Sequence, residues 1–66
     1  MKTRVRQLSN GKYVAEVRVL FRWLAISKFS GVTLEKNSRN YVESCMVGYK
    51  NDALKIMNDY RAKRGL

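Results

Sequence analysis

The sequence predicts an α+β fold in which a three-stranded antiparallel sheet packs on one C-terminal helix (β-β-β-α). Two runs rich in Val, Tyr and Phe flank Asn10-Gly11, which is a strong hairpin signal. Residues 41–47 form a third β-rich run. After residue 50 the apolar period changes from two to about 3.6, which indicates an amphipathic helix. With 66 residues, we expect one small basic domain, residues 1–66.

The hairpin centred on Asn10-Gly11 is the first predicted element. Its strands cover residues 3–8 and 13–25. Both central residues of a two-residue Asn-Gly turn need positive φ, which Gly adopts freely and Asn tolerates. A helical period also fits part of residues 13–25, but the density of β-branched and aromatic residues favours a strand.

The alternation in residues 13–25 separates two faces. The odd-numbered positions are all apolar and include Phe21 and Trp23, so we expect these two side chains in the core beneath the helix. The opposite face stays in water because a single helix covers only one side of a sheet. That open face is predicted to carry Arg4, Arg6, Glu16, Arg18 and Arg22.

The rest of the chain supplies a loop, a strand and the helix. Residues 27–40 are polar and predict a long loop, with a short strand around residues 32–34. Residues 41–47 are the predicted third strand. The helix begins near Lys50 and ends at Gly65, a residue that suits the position after a helix C-terminus. Its predicted core positions are Ala53, Ile56, Met57 and Tyr60.

The net charge of +9 is the strongest indication of function. Small domains normally carry a net charge of magnitude about 2 to 8. The excess predicts an anionic partner, with nucleic acid, and duplex DNA in particular, ahead of an acidic protein. The longest apolar run, residues 17–26, is far shorter than the roughly 20 residues that a membrane span needs, so no membrane partner is expected.

No catalytic, cofactor or metal site is predicted. The chain has no His, the usual general base and a common zinc ligand, and its five carboxylates form no recognisable pair. None of the four glycines stands in a phosphate-cradling pattern. We therefore expect a protein that is not an enzyme. Cys45 is alone and no secretory pattern follows Met1, so we expect a reducing compartment, the cytoplasm of a host cell.

The first hairpin resembles a known DNA-binding family. The matching residues are Val5-Arg6-Gln7 and Gly11-Lys12-Tyr13-Val14-Ala15-Glu16-Val17-Arg18. The plant ethylene-response-factor (Apetala-type) domain is similar here, reading Val-Arg-Gln and then Gly-Lys-Trp-Val-Ala-Glu-Ile-Arg at the same spacing. Lys50-Asn51-Asp52-Ala53 also resembles the start of the family helix.

The resemblance implies three strands on one helix, a fold shared with the amino-terminal arm-binding domains of phage tyrosine integrases. It also implies an open sheet face that enters the DNA major groove, with contacts from Arg6, Glu16 and Arg18. The chain departs from the family at Leu8 and Asn10, where the family often has Arg and Trp, and it lacks the Trp-Leu-Gly stretch of strand three.

The arginines of the open face are the candidate contact residues. A guanidinium bridges phosphate oxygens or the O6 and N7 edge of guanine, whereas the alternative is an ordinary solvated sheet face. Glu16 either accepts a hydrogen bond from cytosine N4 or pairs with an arginine across the strands. Lys12 suits a phosphate contact. The predicted nucleic-acid-binding residues are Arg4, Arg6, Lys12, Glu16, Arg18 and Arg22.

These observations predict a DNA-binding accessory or regulatory protein of a phage or mobile element. Two alternatives stay open. One is a small phage-encoded protein that binds and inhibits an acidic host protein. The other is a module for RNA or single strands, in which Phe21 and Trp23 would stack on bases. The sequence leaves the oligomeric state undetermined.

Overall fold

A computed structural model of the chain describes residues 2–28, 31–35, 39 and 41–65. These residues form β1 (Thr3–Gln7), β2 (Tyr13–Val19), β3 (Arg22–Ile26), β4 (Thr33–Leu34), α1 (Tyr41–Cys45) and α2 (Lys50–Lys63). The strands make one antiparallel sheet in the order β1-β2-β3-β4. The predicted α+β class, an antiparallel sheet with a C-terminal helix, is therefore confirmed, with four strands in place of three.

The first hairpin turns over three residues. Leu8 donates its N–H to the carbonyl of Lys12 at 2.7 Å, and Gly11 donates to the carbonyl of Leu8 at 2.9 Å. Gly11 has φ 85°, whereas Asn10 does not have positive φ. The prediction that both residues take positive φ is wrong, because a three-residue loop needs the left-handed conformation only at its last residue. Asn10 instead accepts the N–H of Lys12 on its side-chain Oδ1 at 3.0 Å.

The predicted strand 13–25 is two strands joined by a tight turn. Val19 pairs with Arg22, so Leu20 and Phe21 form the two-residue connection. The segment lacks Gly, Pro, Asn and Asp, the residues that mark turns in a sequence, and the turn was therefore missed.

This turn reverses the alternation of faces beyond it. Trp23 lies opposite Arg18 and so shares a face with the charged residues. The predicted core positions of Phe21 and Trp23 are wrong: Trp23 is half-buried on the charged face, and Phe21 is 90% exposed.

The predicted long loop contains a real strand. β4 pairs with β3 through Ala25 and Ile26, which confirms the short strand expected around residues 32–34. Part of the predicted 27–40 loop, residues 29–30, 36–38 and 40, lies outside the described residues.

Residues 41–47 do not form the predicted third strand. Residues 41–45 are the single turn of α1, with Tyr41 and Cys45 buried. A spacing of four residues puts two side chains on the same face of a helix and also on the same face of a strand, so the pattern could not separate them. Val47 keeps one β-bridge, exchanging backbone hydrogen bonds of 2.8 and 2.9 Å with Tyr13.

Among the residues that the structure describes, the core consists of two clusters, one on each face of the sheet. On the α2 side lie Ala15, Val17, Ile26 and Tyr60, with Leu24, Ile56 and Met57 packed against them. On the opposite side lie Val14, Ala25, Tyr41 and Cys45, with Leu8, Leu34 and Met46. The expectation of one wholly open face is therefore only half correct, because α1 covers one end of it.

The C-terminal helix matches its prediction. Ala53 and Tyr60 are buried, and Ile56 and Met57 are half-buried. Arg61 and Lys63 occupy the last turn, where cations interact favourably with the helix dipole. Gly65 follows with φ 71°, as expected for a residue beyond a helix C-terminus. Among the described residues, no helix is long and apolar enough to cross a membrane.

Candidate nucleic-acid interface

The sheet side opposite α2 carries a row of arginines. Directly opposed residues in an antiparallel pair share a face, and the register opposes Arg4 to Glu16 and Arg18 to Trp23, with Arg6 two residues beyond Arg4. We call Arg4, Arg6, Arg18 and Trp23 the arginine face. It lies on the same side of the sheet as α1, and the Arg6 guanidinium interacts with the Tyr41 side chain of that helix.

Glu16 lies buried at the centre of the arginine face, with no exposed surface. Its Oε1 accepts hydrogen bonds from Arg4 Nε at 2.7 Å and Arg6 Nε at 3.1 Å, and its Oε2 accepts one from Arg6 Nη2 at 3.1 Å. Burial alone would raise the pKa of Glu16, but the hydrogen bonds from the two arginines outweigh it and lower that pKa. The carboxylate therefore stays ionised and orients two guanidinium groups.

This geometry agrees with one of the two roles predicted for Glu16. A carboxylate with no exposed surface and both oxygens occupied by arginines is not presented to a cytosine amino group. Glu16 is a cross-strand ion-pair partner. Any contribution it makes to binding passes through Arg4 and Arg6.

Arg4 and Arg6 are fixed in place and still reach solvent. Their side chains are 38% and 34% exposed. The Arg4 guanidinium also lies 3.9 Å from the centroid of the Trp23 ring, a cation–π contact that fixes its plane. The described hydrogen bond of Arg4 uses Nε, which leaves the Nη groups as donors for a ligand.

The remaining predicted site residues lie around this pair. Arg18 is exposed, and its Nε donates to the carbonyl of Leu20 at 3.2 Å. Lys12 is exposed at the opposite end of the hairpin, beside the first turn.

Arg22 does not belong to the arginine face. It lies opposite Val19, on the α2 side of the sheet, and forms an ion pair with Glu35. The prediction that Arg22 shares a face with Arg4 and Arg18 is wrong, because the turn after Val19 reverses the alternation.

The chain matches no family model, no curated protein and no solved structure. The resemblance of the first hairpin to a plant DNA-binding domain therefore stays a prediction. The case for function depends on the geometry of the arginine face and on the charge of the chain.

Trp23 and the β2–β3 turn are the parts of this region that the sequence interpretation missed. The length of the predicted strand 13–25 is the signal that could have indicated a turn. Strands in globular proteins average about five to six residues, so a single strand of this length is unusual in a small sheet. A two-residue turn placed before Trp23 would have moved that side chain to the charged face.

Other chemistry finds little support in the described ranges. No group of three His, Cys, Asp or Glu residues there could hold a metal ion. Cys45 is buried, and burial raises the pKa of its thiol to about 11. Since the thiolate is the reactive form, this cysteine is an inert core residue at neutral pH.

Proposed function

We propose that the arginine face binds duplex DNA, and that the protein is a non-enzymatic accessory or regulatory factor of a phage or mobile element acting in the host cytoplasm. The observation that carries the proposal is the buried Glu16, which holds Arg4 and Arg6 in fixed positions on a half-exposed sheet surface. Duplex DNA offers phosphates and guanine edges, which are the groups that a fixed guanidinium recognises.

Pre-organisation favours binding on this face. A free arginine side chain carries about 2 kcal/mol of rotamer entropy, part of which is lost when a ligand fixes it. Arg4 is already fixed by Glu16 and Trp23, and Arg6 by two hydrogen bonds. Less entropy is therefore lost when these side chains contact DNA.

Charge supplies the sequence-independent part of the affinity. Glu16 neutralises one of its two arginines, so the trio keeps a net charge of +1, to which Arg18 adds another. The whole chain carries +9, which attracts a polyanion before any specific contact forms. Base recognition would come from Arg4 and Arg6, whose orientation is fixed.

Fluorescence anisotropy with random-sequence duplex DNA over about 50 to 300 mM salt tests the proposal. About five phosphate contacts give a slope near −4.5 in a plot of log affinity against log salt. Arg18→Ala should reduce the steepness of that slope by about 0.9. The matched control is Lys55→Ala, which removes the same charge from an exposed position on α2 and should leave the slope nearly unchanged.

The same titration separates the alternative functions. Tighter binding to single-stranded DNA or to RNA than to the duplex would indicate a module for those ligands. No DNA binding at low salt, together with capture of an acidic host protein, would favour the inhibitor. Equal effects of Arg18→Ala and Lys55→Ala would mean that the charge acts without a defined face.

A further inference from the structure

The β2–β3 turn presents the two most exposed large apolar side chains in the part of the chain that the structure describes. Leu20 is 83% exposed and Phe21 is 90% exposed. Val19, directly before them, is 44% exposed. We call Leu20 and Phe21 the apolar tip. Side chains this exposed contribute almost nothing to the core, so the fold of the single chain does not require them.

The backbone at the apolar tip also disfavours Leu20. Leu20 has φ 59°, a left-handed conformation in which an L-residue other than Gly is strained. The first hairpin of the same chain places Gly11 at its left-handed position and Asn10 before it. A turn residue at position 20 would therefore strain the backbone less. The fold of the single chain does not account for apolar side chains at this exposed end.

Cations flank the apolar tip on both faces of the hairpin. Arg18 lies on the arginine face, and Arg22 lies on the α2 side. The N–H of Arg18 donates to the carbonyl of Lys2, and Arg61 donates to Thr3 Oγ1 at 3.3 Å, so two further cationic residues belong to this end of the sheet.

The ion pair with Glu35 still allows Arg22 to contact a phosphate. The two side chains are 62% and 52% exposed. Exposed ion pairs contribute little to stability, and a phosphate can replace the carboxylate.

We propose that the apolar tip inserts Phe21 between two adjacent base pairs of the bound duplex and opens that step, while Arg18 and Arg22 contact phosphates on either side. Apolar wedges of this kind partly unstack a base step and kink the duplex. A groove is bordered by phosphates on both sides, which matches cations on both faces of the hairpin. The proposal depends on the proposed function, because it requires DNA binding.

A duplex with 2-aminopurine beside a central TA step reports the opening directly, since pyrimidine–purine steps unstack easily and the fluorophore brightens when unstacked. The wild-type chain should raise the fluorescence at saturation. The variant L20G/F21N supplies a turn of the Gly-X type and removes both apolar side chains. It should bind with the same salt slope and about tenfold lower affinity, and leave the fluorescence unchanged.

Phe21→Asn alone isolates the wedge. It keeps Leu20 and the backbone of the turn and removes the side chain proposed to insert, so it should bind DNA without raising the fluorescence. If Phe21→Asn raises the fluorescence as the wild type does, Phe21 is not the wedge and the proposal falls.

Anisotropy measured on the same samples separates the two proposals. Binding without any fluorescence rise overturns the wedge and leaves the proposed function standing, whereas no binding at all overturns both. A third outcome would also overturn the wedge. In that outcome the wild type leaves the base step closed but sediments with phosphatidylserine-containing vesicles, whereas L20G/F21N does not sediment with them. The apolar tip would then be a membrane contact.

Discussion

Arg6 and Arg18 lie on the same face and carry the same charge, yet they should differ sharply when each is replaced by Ala. Arg6 donates two hydrogen bonds to the buried Glu16. The described side-chain hydrogen bond of Arg18 goes to an exposed backbone carbonyl. We expect Arg6→Ala to lower both stability and DNA affinity, and Arg18→Ala to lower DNA affinity with little change in stability.

The hydrogen bonds to Glu16 set the magnitude for Arg6→Ala. A hydrogen bond to a charged group contributes about 1.5–3 kcal/mol, and Arg6 makes two, each at 3.1 Å. The Arg6 side chain is 34% exposed, so water replaces part of this contribution, and Arg4 still holds the carboxylate. We expect the free energy of unfolding to fall by about 2 kcal/mol. In a domain of this size, Tm then falls by about 8–16 °C.

Thermal unfolding followed by circular dichroism, and anisotropy with duplex DNA, measure the two effects. Arg18→Ala removes a cation assigned to phosphate contact, so its salt slope should become shallower by about 0.9. If Arg6→Ala melts at the wild-type temperature, Glu16 does not depend on Arg6. If Arg18→Ala melts at as low a temperature as Arg6→Ala, then Arg18 also stabilises the fold and the different structural roles assigned to the two arginines are wrong.

Three further predictions follow from single residues. The pKa of Glu16 is lowered in the fold, so the ionised carboxylate should stabilise the protein above about pH 4.5, and this stabilisation should be lost as the pH falls below that value. In urea unfolding, the free energy of unfolding of Glu16→Gln should therefore depend less on pH than that of the wild type. Burial raises the pKa of Cys45 from 9.0 to about 11, so the contribution of the neutral thiol to the free energy of unfolding should be lost as the pH rises from about 9 to about 11. A thiol reagent should label Cys45 only in denaturant. Leu20→Gly should raise Tm by a few degrees because it relieves the positive φ, and an unchanged or lower Tm would contradict the strain at that turn.

The sequence was sufficient for the fold class and for the elements with strong local signals. The change of period after residue 50 predicted α2, and Gly65 matched its end. Asn10-Gly11 predicted the first hairpin, although the loop has three residues. The pattern of alternation also placed Arg4, Arg6, Glu16 and Arg18 on one face, and the register confirms it.

The errors in strand and face assignment have two physical causes. The Leu20-Phe21 turn has none of the usual turn residues, so its position is not encoded in local propensity. Residues 22–25, which follow it in the predicted strand, were therefore assigned to the wrong faces. The second cause is the shared spacing of four residues in α1, where packing of Tyr41 and Cys45 on Val14 decides between helix and strand. Tertiary contacts of this kind cannot be derived from a short segment alone.

A backbone-amide NMR titration of the whole chain with duplex DNA tests the central claim most directly, because it reports partner and surface in one experiment. We expect the largest shift changes in β1, β2 and β3, at Arg4, Arg6, Arg18 and Trp23, with the outward side of α2 nearly unchanged and the changes reversed by salt. Shift changes concentrated on α2, or none at low salt, would contradict DNA binding by the arginine face.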